Sequence, residues 1–264
     1  MKRLLILAAL ALILPLAASA QGTSDSLEKD FATRTSLALD YRIVKGFHLE
    51  AAYELRTENN LSKIDRHQAS IGLSYKFTDW LKAGADYIFI YRQGASAWEP
   101  RHRADAYLTF DYKFGFWRLS LREQLRYTHK TQDLNPYQEN RNPLTLKSRL
   151  KLQYKGWLNL EPYAAFEVRN TLNAPSFTAD WNDVAKSYSN YEFLGYKDIY
   201  INRLRGTLGI EWTLSPHSAL DIYTHLDSCR DKDIDTNKKG TKLKSFTWSR
   251  SLIPTFGLGY TFSF

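Results

Sequence analysis

From residue 253 to residue 264 the chain alternates strictly. Pro254, Phe256, Leu258, Tyr260, Phe262 and Phe264 are bulky and apolar, while on the other face Ile253 is followed by Thr255, Gly257, Gly259, Thr261 and Ser263, which are small or polar. Side chains of a strand point alternately to its two faces, so these two sets lie on opposite sides. A strand with one wholly apolar face, running to a terminal aromatic, has the form of the closing strand of an outer-membrane barrel. It points to a membrane location although the mean hydropathy is −0.45.

The first twenty residues read as a targeting segment. Lys2 and Arg3 are followed by an apolar run from Leu4 to Leu16 and by Ala18-Ser19-Ala20, a small-residue cleavage pattern. Residues 1–20 are therefore expected to be a cleaved secretory signal peptide and residues 21–264 a single barrel domain. The residue directly after the cleavage pattern is Gln21 rather than a cysteine, which argues against a lipoprotein, and Cys229 is alone, so no intrachain disulfide can form. The net charge of +8 falls by two, to +6, once Lys2 and Arg3 are removed. For a basic exported protein the expected anionic partners are outer-membrane lipids, lipopolysaccharide phosphates and small anionic solutes, and nucleic acid is not among them.

Period-two alternation recurs through the rest of the chain, predicting eleven strands. The connections alternate between short and long. The short ones are Val44-Lys45-Gly46, Thr78-Asp79-Trp80, Gly115-Phe116, Lys155-Gly156-Trp157 and Ser215-Pro216-His217. Gly46, Gly115 and Gly156 can supply the positive φ of tight hairpins. The long ones include His129 to Asn142, Asn170 to Lys197 and Ser228 to Lys244. Short periplasmic turns and long external loops are the habit of such barrels. Trp80, Trp117, Trp157 and Trp212 all sit by short turns, as one interfacial girdle would place them. The expected fold is an all-β, transmembrane, antiparallel up-and-down barrel of about twelve strands (10–12). Single-chain bacterial barrels normally have an even number of strands. An eleventh strand therefore leaves three options for Gln21 to Asp30: a polar twelfth strand, a path up the lumen, or an unusual closure. Twelve wall positions are favoured.

The inward faces are crowded with ions. Arg101, Arg103, Arg118, Arg122, Arg126, Arg149, Arg203 and Arg205 are the candidate lumen and solute-binding residues. Arg118, Arg122, Arg126, Lys147, Arg149 and Lys151 would form a basic stripe on adjacent strands. Turn lengths predict cross-strand pairs Asp105–Arg126, Lys151–Glu161 and Arg205–Asp227, and place His225 opposite Thr207 near Tyr223. Glu123 breaks the pattern, because its register points it to lipid between Leu121 and Leu125. Lys238, Lys239, Lys242 and Lys244 form a basic run suited to lipopolysaccharide phosphates.

The function these features favour is a narrow passive pore or solute-binding barrel with a basic lumen. The alternatives are a closed structural or partner-binding envelope barrel and a lipid-modifying enzyme. His48, His67, His102, His129, His217 and His225 show no recognisable spacing to a serine and an acid, so enzymatic activity is not expected. No cofactor or metal is expected either, given the absence of Cys/His ligand spacing and of a phosphate-binding glycine loop. The C-terminal strand would engage the barrel assembly machinery, and a monomer is expected.

Asp65-Arg66-His67, Trp98-Glu99-Pro100-Arg101-His102-Arg103, Asn202-Arg203-Leu204-Arg205 and the terminal Tyr260 to Phe264 occur in this order between alternating strands. In this the chain resembles a family of short Gram-negative outer-membrane proteins described only as a domain of unknown function. The resemblance covers nearly all of the chain after the targeting segment and implies a signal-bearing barrel of this size. Arg66, Arg101, Arg103, Arg203 and Arg205 match its Arg-rich strand starts, and it implies no activity for them.

Overall fold

The computed structural model describes residues 27–94 and 97–264, with side chains from residue 30 onward. The expected signal peptide lies outside the described residues. The elements in chain order are β1 Leu27–Lys29, β2 Ala32–Val44, β3 Phe47–Glu58, β4 Lys63–Lys76, β5 Leu81–Gln93 and β6 Trp98–Phe114. They continue with β7 Trp117–Lys130, β8 Leu144–Tyr154, β9 Leu160–Asn182, β10 Ser187–Ser215, β11 Ser218–Thr236 and β12 Leu243–Ser263. Each strand from β2 to β12 pairs antiparallel with the next, and β12 closes on β2. The fold is the expected all-β up-and-down barrel.

The closure resolves the parity question. β12 pairs with β2 in parallel, from Thr255 opposite Ala32 to Ser263 opposite Asp40. β1 meets β12 in the same register, Leu27 opposite Arg250 and Lys29 opposite Leu252. β1 and β2 are thus one interrupted edge: twelve strands lie in the sheet, but eleven wall positions close it rather than the twelve favoured from the sequence, because β1 continues the line of β2 instead of adding a position. An odd number of wall strands forces first and last to run the same way. The interruption falls at Asp30 and Phe31. There the Asp30 carboxylate accepts the backbone N–H groups of Asn59 (3.0 Å) and Asn60 (2.8 Å), in the β3–β4 turn. Asn59, Asn60 and Leu61 all have positive φ, so Asp30 ties the closing seam to a strained turn.

This barrel reverses the usual distribution of polarity. Leu37, Ile71 and Leu208 are more than half exposed on the outside, while the buried side chains include Asp105, Gln124, Gln153, Glu167, His225 and Asp227. An apolar exterior of this extent is stable only against an apolar medium. Aromatic rings flank it. At the short-turn end Trp117 packs on Tyr154 (5.0 Å) and Phe262 on Phe264 (4.8 Å). Trp80, Trp117, Trp157 and Trp212 are all exposed there, as the turn pattern predicts. At the other end Tyr91 stacks on Trp98 (4.9 Å), and outward His67 and His102 bond the hydroxyls of Tyr53 (2.6 Å) and Tyr87 (2.7 Å). From His102 to Phe114 on β6, at about 3.3 Å per residue and a tilt near 45°, the band is about 28 Å tall. Glu123 does face outward, and the hydroxyl of Ser148 on β8 donates to its carboxylate (2.6 Å). A neighbouring strand thus satisfies one of its oxygens.

Two expected long loops are strands instead. Asn170 to Lys197 belongs mostly to β9 and β10, which pair up to Asn182 opposite Ser187. Ser228 to Lys244 belongs mostly to β11 and β12, with a connection of residues 237–242. Above the apolar band neither face of a strand must be apolar, so alternation disappears while backbone pairing persists. Register shifts between Ser189 and Arg203 scramble what alternation remains. This extension has its own core of buried Ala174, Ile234 and Leu243, with Phe177 against Phe246 (5.2 Å). The β7–β8 connection, residues 131–143, is a true loop and straps onto the extension. Asn135 donates to Thr236 (3.1 Å), Gln138 to Asp235 (3.0 Å) and Asn140 to the carbonyl of Asn173 (2.8 Å).

Candidate functional site: a guanidinium chamber in the lumen

Like charges directly across a pair of strands destabilise it, yet here they run in rows. Arg34, Arg56, Arg66 and Arg92 lie side by side on β2, β3, β4 and β5. On the facing wall Arg122 lies opposite Arg149, and Arg169 opposite Arg203. Barrel closure brings the two walls together around a cavity of about 310 Å³. Arg34, Arg56 and Arg66 line one side of it. Arg103, Arg126 and Arg149, with Lys147, line the next, and Arg169, Arg203 and Arg205 complete it. Nine arginines and one lysine thus face two lining carboxylates, Glu167 and Asp221. A wider vestibule of about 690 Å³ lies above and shares Arg66, Arg103, Arg126, Arg169 and Arg203 with it. The strap residues Gln138, Glu139 and Asn140 border the vestibule.

Part of this charge is locally compensated. Arg126 grips the buried Asp105 through Nε (2.9 Å) and a terminal nitrogen (2.7 Å). Arg205 holds Asp227 in the same forked way (2.6 and 2.8 Å). Both pairs are those that the turn lengths predict, and a forked guanidinium–carboxylate contact is the strong form of the interaction. Arg56 pairs with Glu54, Arg66 with Asp65 (2.5 Å) and Lys147 with Glu167 (3.1 Å).

The rest is not compensated. Asp227 must also serve Arg203 (3.4 Å) and Arg34 (3.7 Å). Arg103 finds only the neutral partners Gln68 (3.3 Å) and Thr128 (3.4 Å), and Arg169 only Asn202 (2.7 Å). Arg149 lies across from Glu167, which Lys147 already holds. Among the described residues none of Arg103, Arg149 and Arg169 has a carboxylate within salt-bridge distance. The Nε of Arg203 is buried with no hydrogen-bond partner.

Tyrosines form the floor. Tyr163 lies over Gly209 and donates its hydroxyl to Asp221 (3.0 Å). Tyr223 lies over Gly257 and stacks on His225 at 5.7 Å. In each case the glycine lets a ring lie flat on the neighbouring strand, an arrangement that strengthens a glycine-weakened ladder. His225 sits opposite Thr207, as expected. Its side chain is 1% exposed, lines the chamber and has no hydrogen-bond partner at Nε2, with Asp227 3.8 Å away.

The eight candidate arginines divide by height. Arg103, Arg126, Arg149, Arg203 and Arg205 line the chamber. Arg101 lies in the vestibule, held by Glu99 (2.9 Å). Arg118 and Arg122 lie nearer the short turns: Arg118 clasps Asp111 (3.1 and 2.5 Å), and Arg122 stacks on Tyr107 (3.6 Å) with Asp86 at 3.8 Å. The basic stripe on β7 and β8 is therefore mostly neutralised by carboxylates of the other strands, Asp86, Asp105, Asp111, Glu167 and Glu211. The expected Lys151–Glu161 pair does not form. The β8–β9 connection has five residues, 155–159, rather than three, so Lys151 faces Ala165 and reaches over to Glu211. Glu161 takes Gln153 (2.8 Å) and Lys155 (2.6 Å) instead. Gly156 accordingly has no positive φ, unlike Gly46 and Gly115. The candidate set lacked Arg34, Arg56, Arg66 and Arg169. Their inward register was readable, but the closure that opposes β2–β4 to β8–β10 was not.

A family model matches residues 32–235, a stretch containing every cation of the chamber; it is described as protein of unknown function, DUF2490. The chain belongs to this family. None of the curated proteins matches it. Among solved structures this DUF2490 protein is similar to an anion-selective porin from Comamonas acidovorans, at 12% identity and a TM-score of 0.36, over 81% of this chain. It spans about half of that porin's length, 53%. It is also similar to the NanC porin, at 12% identity and a TM-score of 0.44, over 88% of this chain and 96% of that one.

Proposed function

We propose that this DUF2490 protein sits in the outer membrane of a Gram-negative envelope and provides a narrow passive path for small anions. The apolar band between two aromatic girdles supports the membrane setting. The short turns and the C-terminal strand lie at the periplasmic end, and the strap and the long hairpins face outside. The observation that carries the transport reading is the chamber, where nine arginines and one lysine outnumber by four the carboxylates that line it or pair with them. Rings of fixed positive charge favour anions in a pore by lowering their electrostatic barrier and raising that of cations.

Purified protein reconstituted in a planar lipid bilayer tests this. The expected result is stepwise conductance, with a zero-current potential of anion-selective sign in a tenfold potassium chloride gradient. Silence in every salt overturns the path. The strap of residues 131–143 across the mouth favours a closed envelope barrel as the second reading, and that is the outcome silence would support.

A further inference from the structure

The charge balance of the chamber is specific enough to name what it accepts. Glu54, Asp65, Asp105, Glu167 and Asp227 lie within salt-bridge distance of one or more of its ten cations and Asp221 lines it beside Tyr163, so ten positive charges exceed six negative ones by four. The excess is concentrated on arginines. Arg103, Arg149 and Arg169 lack a carboxylate, and Arg34 and Arg203 share Asp227 with Arg205. A second feature points the same way. His225 is 1% exposed, stacked on Tyr223, and presents an unpartnered Nε2 at the chamber wall. A buried polar group without a partner is costly unless something completes it.

We infer that the chamber is a binding site for a soluble oxoanion carrying at least two negative charges. The guanidinium fork matches paired oxygens of phosphate or carboxylate, which a spherical halide cannot offer. One charge would leave most of the excess unanswered, whereas two to four match it. The volume of about 310 Å³ suits a small solute, at the lower end of ligand cavities of roughly 300–1,000 Å³. Arg103, Arg149 and Arg169 approach from β6, β8 and β9, so two anionic groups on one solute can be held by different strands. The enclosing wall restricts the occupant to the aqueous phase and excludes a lipid headgroup. This inference rests on the reading of the lumen as an anion path, and names the solute class for it.

Isothermal titration of the full chain in detergent micelles with pyrophosphate and with citrate tests the site, using acetate and chloride at matched ionic strength as references. We expect saturable binding of one or both multivalent probes at least about tenfold tighter than acetate, since a hydrogen bond to a charged group is worth about 1.5–3 kcal/mol. Arg149→Gln and Arg169→Gln should each weaken it by about tenfold or more, with Arg149→Lys intermediate because it keeps charge and loses the fork. Should a variant fail to fold, block of the wild-type current by micromolar pyrophosphate is the independent measurement. Multivalent probes binding no better than acetate overturn the site, as do glutamine variants that bind as wild type. Binding without conductance overturns the path and leaves the site, and conductance without binding or block overturns the site alone.

Discussion

On the short-turn side of the lumen, charges are matched one to one. Lys82 holds Glu50 (3.0 Å), Arg118 holds Asp111 (2.5 Å), Lys155 holds Glu161 (2.6 Å) and Lys151 holds Glu211. On the loop side three arginines share Asp227, and three more have no carboxylate within salt-bridge distance among the described residues. The cation types differ as well, lysines being frequent below and arginines dominating above. A lysine–carboxylate pair neutralises two strands locally and asks nothing of the solvent. A row of guanidinium groups keeps its charge and needs an answering anion from outside the chain. The lower half thus holds the wall together, while the upper half breaks the cross-strand rule for charge, as sequences do where function competes with stability.

The sharpest break of this contrast comes at Asp227. Asp227→Asn removes the one carboxylate that three guanidinium groups use, and its side chain is 3% exposed. Removing one partner of such a buried network should cost about 3 kcal/mol, seen as a lower urea midpoint for unfolding from lipid vesicles. Added pyrophosphate should recover part of the loss, because it supplies the missing negative charge. Loss of less than half that amount would mean that the chamber is better compensated than its distances indicate.

A smaller effect separates the floor from the wall. Gly209 and Gly206 lie on one strand, but a Cβ at Gly209 would meet the Tyr163 ring at 2.6 Å and one at Gly206 would meet nothing within 4 Å. Gly209→Ala should therefore lift Tyr163 off the sheet and away from Asp221, costing about 1–2 kcal/mol as overpacking does. Gly206→Ala should leave the unfolding midpoint unchanged or slightly raised. Equal effects of the two would show that Tyr163 is not fixed by the glycine beneath it.

The smallest effect belongs to the short-turn half. Glu50 and Lys82 are 39% and 38% exposed at the side chain. Glu50→Gln should cost less than about 1 kcal/mol, in keeping with exposed ion pairs, and should leave the pyrophosphate affinity within about twofold. If this substitution cost as much as Asp227→Asn, the division of the lumen into a structural and a binding half would fail.

Turn length made part of the site legible. Two residues between β6 and β7 set Asp105 against Arg126, and the β10–β11 hairpin set Arg205 against Asp227; both pairs are observed. The same reasoning missed Lys151–Glu161, because Leu158 and Asn159 extend the turn and an apolar Leu158 mimics the start of a strand. Leu158 is in fact 99% exposed. It also missed the pairing of Asn170 to Lys197. Alternation reports a strand only where its faces meet different media, and that hairpin stands above the apolar band.

By itself the sequence determined the class of fold. Alternation sorted apolar from polar faces, and turn residues placed the tight connections at one end of the barrel. These are local properties, fixed by the period of two and by turn chemistry. Tertiary structure alone decided the parallel meeting of β12 with β2 and which walls oppose each other across the lumen. Arg34 and Arg203 are 169 positions apart, and only closure brings both to Asp227. The charge of a chamber depends on which carboxylates lie within a few ångströms of which guanidinium groups, and no period along one strand carries that information.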